Sequence, residues 1–134
     1  MLKPNIEKEF NKQINAEFYS AYLYLSMASY FESINLNGMS TWMKNQAQEE
    51  MAHGMKFYEF INERGGKVTL TSIEAPAASW KNALDVFKNA YKHECSITSL
   101  IHNLVDIAHK EKDYPSITFL QWFVAEQVEE EATA

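Results

Sequence analysis

The sequence predicts an all-α domain, a bundle of four long helices with one long crossover between the second and the third. Three observations predict it. Gly and Pro are scarce, at four and three in 134 residues, and they fall where they divide the chain into long segments. Apolar residues recur inside each segment at helical spacing. Every segment also sets at least one glutamate on its own apolar stripe, and this repeated exception to the core pattern points to a shared site.

Helix one is expected to be capped by Asn5 and to end near Ile34, before the turn "NLNG" at 35–38. Its stripe is Phe10, Ile14, Glu17, Ala21, Tyr24, Ala28 and Phe31. Ser40 can cap helix two, which runs to Arg64 and stops at Gly65 and Gly66 as a left-handed C-terminal cap. Met43, Ala47, Gly54, Phe57 and Ile61 mark its apolar face, and Glu50 and His53 fall on that face too. The stretch "GGKVTLTSIEAPAASW" has no helical period and contains β-branched residues and Pro76, so it reads as an extended connection. Fully extended it reaches about 50 Å, against roughly 37 Å for helix two. It can therefore traverse the bundle, and helices two and three then run parallel. Helix three, from about Asn82 to Lys112, shows Leu84, Phe87, Tyr91, Glu94, Thr98, Ile101, Val105 and Ala108; Pro115 restarts the chain as helix four, with Leu120, Phe123, Gln127 and Glu130.

Composition narrows the function. The length suits a single domain over residues 1–134, and 46% hydrophobic residues are enough for a real core. Eighteen acids against twelve Lys and Arg, a net charge of -6, argue against a nucleic-acid partner and suit the attraction of cations. One cysteine, Cys95, leaves no disulfide framework, and the first residues lack the apolar stretch of a signal peptide, so a cytoplasmic protein is expected. The most apolar stretch is interrupted by Glu17, Ser20, Ser26 and Ser29, which argues against a membrane span.

A buried carboxylate without a partner is costly, and four of them require a cation to gather them. In the deduced topology Glu17 and Glu130 fall at matching heights on helices one and four, as do Glu50 and Glu94 on helices two and three. All four then meet in one layer, with His53 beside them. Four carboxylates and an imidazole form a hard donor set that suits iron or manganese better than the metals that favour thiolates. Two divalent ions would neutralise the four charges. Glu50 is expected to bridge them, with Glu17 and His53 on one ion and Glu94 and Glu130 on the other. His93, His102 and His109 lack matched partners and read as surface or packing residues, as do Met51 and Met55.

Glu17 followed by "FYSAYLYLSM", "QAQEEMAH" at 46–53, Glu94 in "YKHECSIT" and "FLQWFVAEQVEEE" at 119–131 make the chain resemble a bacterial-type non-haem ferritin, along essentially its whole length. Inward glutamates with a Glu-x-x-His pair are a known pattern of di-iron four-helix bundles. The resemblance implies a ferroxidase that oxidises Fe(II) with O2 at a dinuclear site and stores the ferric mineral inside a shell of 24 subunits. Its residue roles map onto Glu17, Glu50, His53 and Glu94, with Gln127 and Glu130 facing them from helix four. A third iron site would use Glu49, Glu126 and Glu129 together with Glu130. Tyr24 matches a tyrosine that hydrogen-bonds near the iron and can give an electron to oxygen chemistry, and Trp122 is a further neighbour of the site. The alternative function is a bundle that binds iron or manganese without turning over O2.

Two departures from related bundles stand out. Helix four carries Gln127-x-x-Glu130 where many di-iron bundles repeat Glu-x-x-His, which favours a ferritin over a haem-containing bacterioferritin. Haem is not expected, although Met51 occupies the position of the haem-ligating methionine of bacterioferritins. Helix four also extends only about one turn past Glu130, so it reads as truncated. The expected consequence is an apolar patch around Tyr24, Phe31, Met43 and Phe87, left without a neighbour.

Overall fold

A computed structural model describes all 134 residues. It contains four helices and no strand: α1 Pro4–Ser33, α2 Asn37–Glu63, α3 Ala83–Lys110 and α4 Tyr114–Thr133. No helix is long and apolar enough to cross a membrane.

Two of the expected caps are corrected. Asn5 lies inside α1, because Pro4 takes the first helical turn, where its fixed φ and missing N–H fit best, and Lys3 is the capping residue. Ser40 likewise lies inside α2; its N–H already donates to the Leu36 carbonyl, so the helix begins at Asn37. The α1–α2 turn closes instead through Asn35 at φ 60°, a left-handed position that asparagine tolerates. Gly65, at φ 76°, ends α2 as expected. Asn82 caps α3 by accepting from the Asp85 N–H at 2.9 Å. That helix ends at Lys110, and the turn into α4 passes through Lys112 at φ 55°.

Contacts at the helix ends establish the topology. The Leu2 N–H donates to the Arg64 carbonyl, so the start of α1 lies at the end of α2. Lys3 reaches the Glu111 carbonyl at 2.5 Å, which places the end of α3 there as well. Phe60 stacks on Phe119 at 4.1 Å, bringing the start of α4 to the same end. Helices α1 and α4 therefore run one way and α2 and α3 the other, with α2 and α3 parallel as expected. The crossover that this requires runs back along α1. Lys67 N–H donates to Glu7, Asn11 bonds both Lys67 and Thr69, Asn15 bonds Thr71 and Ser72, and Ser26 donates to the Ala77 carbonyl. Side chains on α1 thus supply partners that an extended strand would otherwise find in a sheet.

The core is divided. One cluster holds Ile6, Phe10, Ile14, Phe57, Ile61, Ile97, Ile101, Leu104, Leu120 and Phe123; the other holds Ala21, Tyr24, Met27, Phe31, Met43, Val86 and Ala90. On α1, α2 and α3 the two clusters are separated by Glu17, by Glu50 and His53, and by Glu94 respectively. Full burial of one large apolar side chain is worth roughly 1.5–3 kcal/mol, so apolar packing on either side can hold a polar layer that would not hold itself.

Two core expectations are corrected. The inward face of α3 is Val86, Ala90, Glu94, Ile97, Ile101, Leu104 and Ala108. Leu84 and Tyr91, placed on that face by spacing, are 62% and 48% exposed, and Phe87, Thr98 and Val105 are half-buried. Apolar residues on α3 cover more than one face, so the stripe was read about one residue out of phase except at Glu94, Ile101 and Ala108. The predicted apolar patch does not exist: Tyr24, Phe31 and Met43 are 1%, 0% and 0% exposed. Phe87 packs on Phe31 and Trp42, and Trp80 packs on Tyr30, so aromatic rings from α2, α3 and the crossover close that end of the bundle.

Candidate metal centre

The polar layer brings together side chains from all four helices. Glu17, Glu50, His53, Glu94, Gln127 and Glu130 are all no more than 4% exposed. Their ligand atoms form two groups, Glu17 with Glu50 and His53, and Glu50 with Glu94 and Glu130, and within each group the atoms lie inside 4.8 Å of one another. Glu50 is common to both. His53 Nδ1 lies 3.4 Å from Glu50 Oε2 and 3.7 Å from Glu17 Oε2. No lysine or arginine pairs with any of these acids.

The donors are arranged around a gap in the hydrogen-bonding pattern. Glu17 Oε2, both oxygens of Glu50 and His53 Nδ1 are buried with no hydrogen-bond partner. Buried polar atoms are nearly always partnered, and four converging exceptions are the arrangement expected where metal ions complete the coordination. Oxygen donors with one imidazole fit iron, so the donor set passes the chemical test as well.

Proton affinities follow from the same crowding. Burial pushes the Glu50 carboxyl well above the ordinary carboxylate range, and the neighbouring charges of Glu17 and Glu94 add to it despite His53. Burial also raises Glu94, and it raises Glu130 to about 7, with Glu94 contributing. Burial opposes a charge on His53, but Glu17 and Glu50 overcome it and lift the imidazole to about 10. Burial likewise works against Glu17, yet His53, Glu50 and Gln13 together hold it below its ordinary value. Without metal, Glu17 and His53 therefore favour each other's charged form, while burial and the neighbouring acids favour a proton on Glu50.

The remaining sequence candidates lie around this layer. Tyr24 donates its hydroxyl to Glu94 Oε1 at 2.5 Å. Gln127 Nε2 lies 3.3 Å from Glu94 Oε2 and 3.1 Å from Thr98 Oγ1, so its amide faces a neighbouring side chain. Glu49, Glu126 and Glu129 line an open cavity of about 270 Å³ with Trp42, Gln46 and Glu130. Glu130 thus belongs both to the buried layer and to this acidic cavity, and His53 Nε2 lies 3.9 Å from Glu126 Oε2. Trp122 packs edge-on against His53 at 5.4 Å with the Lys56 ammonium over its ring. Met51 is 43% exposed, and His93 packs between Ser20, Tyr19 and Tyr24.

Spacing did not single out Gln13 and Gln46. Gln13 Nε2 donates to Glu17 Oε1 and Gln46 Nε2 to Glu130 Oε2, each at 3.0 Å. Both are buried. The available signal was a polar residue one turn ahead of Glu17 and of Glu50 on the inward face of each helix.

Fold and site together define a class, the four-helix bundles whose inward carboxylates are arranged to hold metal ions. Residues 7–134 match the ferritin-like domain, and the chain belongs to the ferritin family. It is 41% identical to the bacterial non-heme ferritin of Staphylococcus haemolyticus over 133 residues, covering 99% of this chain and 80% of the relative. Identity to the bacterial non-heme ferritin of Bacteroides fragilis is 43%, covering 100% of this chain and 84% of the relative. Among solved structures it matches an open pore ferritin from Archaeoglobus fulgidus at a TM-score of 0.98 and 53% identity, covering 99% of this chain and 82% of that one. The Chlorobium tepidum ferritin matches at 0.96 and 41%, covering 99% and 81%. Iron storage is the function that goes with this family.

Proposed function

We propose that the chain is a ferroxidase that takes Fe(II) as substrate at the buried layer and passes the ferric product to storage inside an assembly of its own copies. The observation that carries the reading is the pair of donor groups sharing Glu50, whose buried oxygens have no other partner. Glu17 and His53 would hold one iron, Glu94 and Glu130 the other, and Glu50 would bridge them, with Gln127 ordering the helix-four side. Each Fe(II) gives up one electron, and the pair supplies the two that, with two protons, take O2 to hydrogen peroxide. Anionic oxygens favour this step because they stabilise the higher charge of Fe(III). Where the third site also holds Fe(II), that iron and Tyr24, hydrogen-bonded to Glu94, could supply the two further electrons that, with the phenol proton and one more, take the peroxide to two waters. Glu49, Glu126 and Glu129, with Glu130, would form a third iron site in the acidic cavity and help the product leave.

The assembly is proposed as a homo-oligomeric shell, as membership of the ferritin family suggests, and its location as the cytoplasm, where the free thiol of Cys95 would stay reduced. Anaerobic Fe(II) addition followed by an O2 pulse tests the chemistry. Rapid O2 consumption by the chain and its loss in Glu50→Ala are expected; binding of Fe(II) without O2 uptake would leave a metal-binding bundle instead. The mass in solution by light scattering tests the shell: a mass near 24 subunits is expected, and a monomer would overturn it. Glu49→Ala with Glu129→Ala should oxidise iron but release it slowly, and wild-type release would remove the third site from the scheme.

A further inference from the structure

We propose that Gln13 and Gln46 are positioning residues that determine which oxygen of Glu17 and of Glu130 faces the metal ions. The inference rests on the metal-site reading above and extends it to residues that themselves need bind no metal.

Hydrogen bonding in the layer is selective. Gln13 holds Glu17 Oε1, while Glu17 Oε2 has no partner and lies 3.7 Å from His53 Nδ1. Gln46 holds Glu130 Oε2, and no hydrogen bond engages Oε1. Glu94 is held by Tyr24 and Gln127. Glu50, the residue common to both donor groups, is held by nothing at either oxygen. Glu17 and Glu130 are thus each tied at one oxygen by a neutral donor, Glu94 is tied at both, Oε1 by Tyr24 and Oε2 by Gln127, and the residue placed to bridge is left with two oxygens to give.

The chemistry of the amide suits this task. Only the NH2 end of glutamine can face a carboxylate oxygen, so the orientation of both side chains is settled by their partners. An amide also stays neutral at any working pH, and it ties one oxygen without adding a charge. A carboxylate tied at one oxygen binds metal through the other; released, it can chelate with both or swing away. For Glu130 the second outcome has a destination, because the acidic cavity of Glu49, Glu126 and Glu129 adjoins it and Gln46 stands in that cavity's wall. Gln46 would therefore set how metal divides between the buried layer and the cavity, and Gln13 would set the affinity of the Glu17–His53 position.

Co(II) titration of the full chain, followed by visible absorption, tests this. The wild-type chain should fill two buried positions. Gln13→Met should weaken one of them about 10- to 100-fold, the range for losing a partner of a metal ligand. Gln46→Met should weaken the other by a similar factor and move Co(II) into the cavity, a shift that adding Glu49→Gln and Glu129→Gln abolishes. Wild-type affinities and spectra in both methionine variants would overturn the inference. A crystal structure of the wild-type chain with Zn(II) provides a check independent of variant folding: Glu17 and Glu130 should each bind through one oxygen with the glutamines on the other, and chelation through both oxygens would overturn it. A wild-type chain that takes up no Co(II) would instead overturn the site reading, and this inference with it.

Discussion

Tyr24 and Glu94, on α1 and α3, are joined by a hydrogen bond of 2.5 Å beside the metal layer. Burial and the Glu94 charge push the phenol's ionisation well up, so it remains a donor at every working pH. Tyr24→Phe keeps the buried ring and removes only this bond. We expect the metal-free chain to lose about 1–3 kcal/mol in a denaturant melt. Two metals should still bind, while O2 uptake after Fe(II) loading should slow. Wild-type uptake would remove Tyr24 from the reaction.

Metal-free stability should fall as pH rises. Glu130 moves from 4.5 to about 7 on folding, so between those values the folded chain binds more protons than the unfolded one and stability is lost as pH increases. His53, raised from 6.5 to about 10, acts with the same sign in its own window. Glu17 has the opposite sign, but its contribution is lost only as pH falls below the ordinary carboxylate range. Melting temperatures of the metal-free chain should therefore decline from about pH 5 to about pH 9, and Glu130→Gln should flatten the lower half of that decline. A rising profile would contradict these proton affinities.

Metal uptake should release protons. His53, raised to about 10, holds at neutral pH a proton that a metal must displace, and Glu50, pushed up by burial, keeps its proton to higher pH than an ordinary carboxyl. In weakly buffered solution near neutral pH, Zn(II) addition should acidify the sample, and apparent affinity should rise with pH. The melting temperature should increase with Zn(II), by an amount equivalent to about 2.7 kcal/mol when the free ion is 100-fold above its dissociation constant.

Glu50→Met separates stability from function. Glu50 is fully buried, and neither of its oxygens has a partner, so an apolar side chain of similar length removes a desolvation cost. The metal-free variant should melt several degrees higher than the wild type while losing both buried metal positions and O2 uptake. A variant that melts lower would show that the metal-free layer is better satisfied than its geometry implies.

Gly54 permits the contact between α1 and α2 next to His53. A Cβ there would meet Phe18 Cε1 and Cδ1 at 2.4 and 2.7 Å, and an aromatic ring cannot yield like the end of a flexible chain. Alanine gains about 1 kcal/mol of helix propensity, whereas overpacking of this kind costs about 1–3 kcal/mol. Gly54→Ala should therefore melt at a lower temperature than the wild type and, by pushing α2 outward, weaken the Glu17–His53 metal position. A higher melting temperature would show that Phe18 can move aside.

Most of the layer is legible in the sequence. Glutamates on apolar stripes are informative because burial forbids them singly, and matching their heights on four helices requires only the rise per residue and the connection lengths. Glu50 lies in both groups of donor atoms, the position expected of it from the sequence. Gln13 and Gln46 escaped notice because a neutral amide on a stripe breaks no rule strongly enough to stand out.

Sequence alone determined the helices, their directions and the convergence of Glu17, Glu50, His53, Glu94 and Glu130, because these follow from local periodicity and from chain length. Tertiary structure alone decided the phase of α3, the closing of the bundle end over Phe31 by Phe87, Trp42 and Trp80, and the hydrogen bonds that tie one carboxylate and leave another free. Those depend on which neighbour from another segment fills a given space, and helical spacing carries no record of that neighbour.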